Sequence, residues 1–146
     1  MWTITRKYSF AAAHRLEGHP KCGRLHGHNY VVTVGLRQDL LEHDGWIMDY
    51  AQLDVVVKPI IEELDHRYIV SSENIAASDP YALVAIHQGD AAQPMISRST
   101  AELLARWIAV EVRGALKLIG IEPFTIFVEV AETEKSSALF VLEEAY

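Results

Sequence analysis

One cysteine, Cys22, is all the thiol chemistry the chain carries, so no intrachain disulfide can form and a reducing, cytoplasmic setting is expected. Long apolar runs are missing too: nothing approaches the roughly 18 residues of a membrane-spanning helix. The opening residues, Met1–Lys7, hold no stretch that could serve as a secretory signal. Basic residues are in deficit, with 13 Lys and Arg against 20 Asp and Glu and a net charge of −7. That balance argues against a nucleic-acid partner, which needs clustered cations to displace counterions. The only locally positive neighbourhoods are Arg6-Lys7 and Lys21/Arg24. A Gly-x-Gly-x-x-Gly loop is also lacking, and with it the usual cradle for a nicotinamide cofactor. Sequence repeats, heptads and low-complexity tracts are absent. What remains reads as one soluble domain over 1–146, half apolar and 23% charged.

Alternation locates the strands. Trp2–Phe10 alternates loosely, and Asn29–Gln38 places Tyr30, Val32, Val34 and Leu36 on one face. A loop with Gly18, Pro20, Gly23 and Gly27 joins them as a hairpin. Asp49–Gln52 resembles a capped helix start, followed by an apolar stripe of Leu53, Val57, Ile60, Ile61 and Leu64, with a kink expected at Pro59. Ser99-Thr100-Ala101-Glu102 is a second capped start, leading Leu103, Leu104, Trp107, Ile108, Val112 and Leu116 to Gly120, with Pro123 beyond. Thr125–Ala131 and Ala138–Leu142 form a second hairpin. Residues 71–98 follow no clean period: Ser71–Ser78 reads as loop, and Tyr81–His87 as a short strand or helical turn. The order is ββααββ, an α+β fold with a four-stranded antiparallel sheet. Apolar residues on both strand faces leave one face bare after two helices cover the other, which favours an oligomer.

The chemistry concentrates in Cys22-Gly23-Arg24-Leu25-His26-Gly27-His28. On an extended chain His26 and His28 project from one face, and Gly27 allows close approach. His14, ending the first strand, is the third candidate for a three-histidine metal site with an open position. A lone His-x-His pair is as often a surface feature, and it is His14 and the nearby cysteine that shift the balance. Cys22 itself has three readings: a fourth ligand, an inert small hydrophobe, or a thiolate activated by a neighbouring cation. Asp65-His66 is either a polar helix terminus or a carboxylate–imidazole proton-transfer unit. Glu132 is either a solvated turn residue or an acceptor for an amidine-like N–H pair. A capping box accounts for Glu102 without any ligand. His19, His43 and His87 read as surface residues.

Taken together, Phe10–Leu16 (FAAAHRL), Cys22–Tyr30 (CGRLHGHNY), Gly45–Leu53 (GWIMDYAQL), Leu64–Tyr68 (LDHRY), Ser99–Glu102 and Glu132-Thr133 resemble the 6-carboxy/6-pyruvoyl-tetrahydropterin synthase family in order. The resemblance implies the tunnelling fold, with trimers closing into a barrel and stacking as hexamers. It implies zinc on His14, His26 and His28, Cys22 as proton acceptor, His66 with Asp65 as a relay, and Glu132 anchoring the pterin, with Thr100 and Glu102 in the matching substrate segment. Three residues separate Cys22 from His26, which looks like the 6-carboxy branch of queuosine biosynthesis. The reaction so implied turns 7,8-dihydroneopterin triphosphate into 6-carboxy-tetrahydropterin, acetaldehyde and triphosphate. The alternatives are 6-pyruvoyl-tetrahydropterin formation, another side-chain cleavage, or a non-catalytic pterin binder with structural zinc. Arg15, Lys21, Arg24 and Arg67 are candidates for the triphosphate. The 71–98 segment exceeds the connector of compact family members, and Glu134–Ser137 replaces their glycine-containing continuation.

Overall fold

Alternation between β-branched or aromatic residues and small or polar ones builds the framework. In the computed structural model, which describes residues 1–41, 43–121 and 125–143, strand β1 (Trp2–His14) pairs antiparallel with β2 (His26–Gln38) over their full length. Two further strands extend this hairpin antiparallel on one side, β5 (Thr125–Thr133) on β2 and β6 (Ser136–Leu142) on β5. The register sets Val32 opposite Val130, Val34 opposite Val128 and Leu36 opposite Ile126, all fully buried. Each such side chain stabilises the fold by roughly 1.5–3 kcal/mol relative to exposure.

Helices α1 (Tyr50–Glu62) and α4 (Ala101–Leu118) cover that face and touch one another, α1 lying over β1 and α4 over β5 and β6. Asp49 caps α1 by accepting from the Ala51 N–H at 2.8 Å. The helix runs through Pro59, which sits on its exposed side, so water can reach the Val55 carbonyl that loses its partner. Beyond α4, Gly120 adopts a left-handed φ of 76°, and the N–H groups of Gly120 and Ile121 return to the carbonyls of Lys117 and Leu116. This is a Schellman stop at the expected glycine. Pro123 lies outside the described residues.

The expected architecture needs three corrections. The sheet has six strands among the described residues, in the order β4-β3-β1-β2-β5-β6, because β3 (Arg67–Ile69) joins β1 in parallel and β4 (Ala91–Ala92) joins β3. It is therefore mixed, not purely antiparallel. The described helices number four, since the 71–98 segment folds as α2 (Ser72–Ala76), α3 (Pro80–Gln88) and β4. Strands of two or three residues are too short for any period to register. Finally, α4 is capped by Thr100, not Ser99; its hydroxyl accepts from the Leu103 N–H at 3.4 Å. Ser99 is buried and turned to other partners.

Beyond the core, the opposite sheet face leaves Val31, Leu139 and Val141 exposed. No described helix is long and apolar enough to cross a membrane.

Candidate metal centre and flanking cavities

The hairpin register creates the centre. His14 and His26 are direct cross-strand partners, and His28 pairs with Ala12, so all three imidazoles share the core face at the loop end of the hairpin. Their ring centroids are 4.6–5.2 Å apart, and one nitrogen from each lies within 4.8 Å of the others. Gly27 makes the approach possible, because a Cβ there would stand 2.7 Å from the Ala12 carbonyl oxygen.

Two rings have their tautomer fixed by the backbone. His14 Nδ1 lies 2.8 Å from the Ser99 carbonyl oxygen and 3.2 Å from Ser99 Oγ. His26 Nδ1 lies 2.6 Å from the Arg24 carbonyl oxygen. A carbonyl only accepts, so Nδ1 donates in both rings, and Nε2 is the nitrogen left to ligate a metal. Both Nε2 atoms are buried without a protein partner. A buried acceptor left unmet costs about 1–3 kcal/mol, and two side by side fit a cation between them. Burial holds the His14 pKa down to about 4, opposed by the Ser99 hydrogen bond and helped by His26 and His28. His28 is lowered as well, first by burial, against the pull of Glu132. Neutral imidazoles are the ligating form. Cys22 is not a member of this cluster.

Two cavities flank the centre. One, about 280 Å³, is lined by Thr100, Glu102 and Glu132 together with Leu16 and Ser136–Ala138. Since Thr100 is the cap, Glu102 sits one place too early for a capping box, and its carboxylate stands at this cavity with Glu132. The other, about 500 Å³, is lined by His28, His66 and Arg67 together with Ala11, Ala13 and Gly27. His66 holds a left-handed φ of 58°, and its Nδ1 lies 2.9 Å from Asp65 Oδ1, which also accepts from the Ala11 N–H at 2.9 Å. Those two donors, Ala11 first, keep the Asp65 pKa below its ordinary value. Within one chain, then, Glu132, Thr100 and Glu102 come together, and His28 and His66 share a second cavity. Cys22 lines neither: it is half-buried on the β1–β2 loop, where its carbonyl accepts from Leu16 N–H at 2.8 Å and its own N–H donates to His19 Nδ1 at 2.8 Å.

Three residues with a part in this geometry escaped sequence reasoning. Ser99 looked like a cap and instead orients His14. His19 lies on the surface as expected, but its Nδ1 also accepts from the Lys21 and Cys22 N–H groups and so ties down the Cys22 loop. Tyr30 is fully buried beside His28, its hydroxyl unpartnered and its pKa pushed far up by burial and then by Glu132. A serine directly before a cap and a tyrosine two places after a His-x-His pair were the available signals. Arg15, considered for the triphosphate, is already engaged by Asp79 and the Gly23 carbonyl.

Comparison with known proteins establishes the family and the fold. Residues 3–143 match the model of the family described as 6-pyruvoyl tetrahydropterin synthase. The chain belongs to this family. The 6-carboxy-5,6,7,8-tetrahydropterin synthase of Haemophilus influenzae is 33% identical over 114 residues, spanning 74% of this chain and 79% of that one. The enzyme of the same name from Synechocystis is 35% identical over 91 residues, or 58% of this chain and 70% of the relative. An Archaeoglobus fulgidus protein provisionally given that name is 36% identical over 75 residues; there the match spans 64% of the relative's length. Among solved structures, the Plasmodium falciparum 6-pyruvoyl tetrahydropterin synthase superposes with a TM-score of 0.77 at 21% identity, covering 97% of this chain and 98% of that one. The Caenorhabditis elegans 6-pyruvoyl tetrahydropterin synthase gives 0.71 at 23%, covering 97% and 96%. At such identities the superpositions speak for the fold, an α+β arrangement around a curled mixed sheet.

Proposed function

We propose that this family member is a zinc-dependent lyase converting 7,8-dihydroneopterin triphosphate and water to 6-carboxy-5,6,7,8-tetrahydropterin, acetaldehyde and triphosphate. The observation that carries the reading is the convergence of three imidazoles, with two buried Nε2 atoms that no protein group satisfies. The 6-carboxy branch rests on the three-residue gap between Cys22 and His26 and on the names of the relatives above. A set of three imidazole nitrogens suits zinc in an open, catalytic setting. Bound on His14, His26 and His28, zinc would supply Lewis acidity towards the oxygens of the substrate side chain.

The chain's own groups would do the rest. Glu132 accepts the paired N–H donors of the pterin's amidine-like edge, and Glu102 and Thr100 share that cavity and offer further acceptor and donor positions. Cys22, as thiolate, removes a proton from the side chain. His66 returns a proton, its Nδ1 held by Asp65 so that Nε2 faces outward for transfer. Separate acceptor and donor suit a sequence of tautomerisation and carbon–carbon cleavage. His66 and the Glu132 cavity lie apart within one chain, which supports sites completed between copies in a homohexameric barrel whose joins use the bare sheet face and edges. The reading includes a single domain carrying the 71–98 insertion, in the cytoplasm.

A Cys22→Ala protein tests it. Zinc content is expected to stay at the wild-type level while conversion of 7,8-dihydroneopterin triphosphate is lost. Loss of the metal in that variant would make Cys22 a ligand and remove the proton-acceptor reading.

A further inference from the structure

Besides its pairing with β3, where the Asp90 and Ala92 carbonyls accept from the Tyr68 and Val70 N–H groups, the 71–98 segment directs a set of side-chain contacts at the loop from Arg15 to Gly23 that carries Cys22. Asn74 is fully buried and its Nδ2 donates to the Arg15 carbonyl and to Glu17 Oε1, both at 3.3 Å. Arg98 donates to the Glu17 carbonyl at 2.7 Å while its Nε pairs with Glu73 at 3.0 Å. The strongest contact is ionic. Asp79, its side chain wholly buried, accepts from Arg15 NH1 at 2.8 Å on the same oxygen that takes the Tyr81 N–H and so caps α3. Its other oxygen accepts from the Tyr68 hydroxyl. The far side of the Arg15 guanidinium reaches back: Nε donates to the Gly23 carbonyl at 2.6 Å, one residue from Cys22.

The loop at that end is a closed unit. Leu16 N–H meets the Cys22 carbonyl at 2.8 Å, and Gly23 N–H meets the His19 carbonyl at 3.0 Å. Gly23 is hemmed in, since a Cβ there would fall 2.5 Å from the His19 oxygen. Among the ties from the insertion to this unit, Arg15–Asp79 is the ionic one, and it alone reaches on to Gly23 beside Cys22. We propose that Asp79 is a positioning residue: acting through the two-ended Arg15 guanidinium, it holds the Cys22 loop in place, and this is what the insertion contributes. The consequence for turnover rests on Cys22 as proton acceptor; the consequence for the loop does not.

Amide hydrogen exchange on the full chain, followed peptide by peptide, separates the two. In Asp79→Asn, which keeps an oxygen to cap α3, the 16–24 peptide is expected to exchange at least about tenfold faster, with β2 and β5 unchanged. Arg15→Lys keeps the cation beside Asp79 and the fold, but one ammonium cannot serve both ends, so it should loosen the same peptide. Under the proposed function, kcat falls in both variants with KM little altered and zinc retained. Unchanged exchange over 16–24 in Arg15→Lys, or acceleration spread evenly over the whole sheet, would overturn the proposal. A loosened loop with kcat intact would leave the tie standing and count against the role given to Cys22.

Discussion

A histidine that gives its Nδ1 proton to a main-chain carbonyl has only Nε2 left for a metal, and His14 and His26 are both in that position. Replacing either by alanine is expected to abolish stoichiometric metal, measured as metal per chain after dialysis. Ser99→Ala should act mildly, within about tenfold in metal affinity, because the carbonyl that orients His14 is retained and only the 3.2 Å hydroxyl contact is lost. Titration provides a second test. His14 has its pKa depressed from 6.5 to about 4, so above pH 6.5 it is neutral whether the chain is folded or not. Between pH 6.5 and about 4 the unfolded chain takes the proton first, and folding stability falls, levelling off below that window. In metal-free protein this contribution is on the order of 3 kcal/mol, read as a falling melting temperature from pH 7 to 4. His14→Gln should flatten that part of the profile.

The β1–β2 hairpin is the element on which the site depends, and its tightest point is Gly27. A Gly27→Ala methyl would meet the Ala12 carbonyl oxygen at 2.7 Å, a main-chain atom that cannot swing away. The substitution is expected to cost about 2 kcal/mol or more, visible in thermal unfolding, and to weaken metal binding by splaying His26 and His28 from His14. This hairpin was also the most legible part of the sequence, since Tyr30, Val32, Val34 and Leu36 alternate cleanly and are all fully buried. The two long helices were legible for the same reason, through apolar stripes and a glycine stop. Residues 71–98 were not. In α3 only Ala82 and Ala85 are buried while Tyr81, Leu83 and Val84 face outward, so its apolar pattern points away from its own packing. Ser99 misled because a Ser-x-x-Glu spacing is a capping box only if the serine is free, and here the His14 ring occupies it. The Arg15–Asp79 tie joins residues 64 positions apart, beyond any local pattern.

At the scale of the whole molecule, one sheet face is covered by α1 and α4 and the other leaves Val31, Leu139 and Val141 exposed. The proposed assembly predicts a particle several times the 16.4 kDa chain mass in sedimentation, and a smaller species when Leu139→Glu places a charge on that face. Spacing made the three histidines candidates, and the hairpin register brings them together, whereas the separation of His66 from the Glu132 cavity needed the fold. The central claim, that this centre runs a 6-carboxy-tetrahydropterin-forming cleavage, is tested most directly by product analysis. Zinc-loaded protein is given 7,8-dihydroneopterin triphosphate, pterins are identified by mass, and acetaldehyde is trapped. The account predicts 6-carboxy-tetrahydropterin with an equal amount of acetaldehyde. A 6-pyruvoyl product without acetaldehyde, or unchanged substrate with zinc shown to be bound, would contradict it.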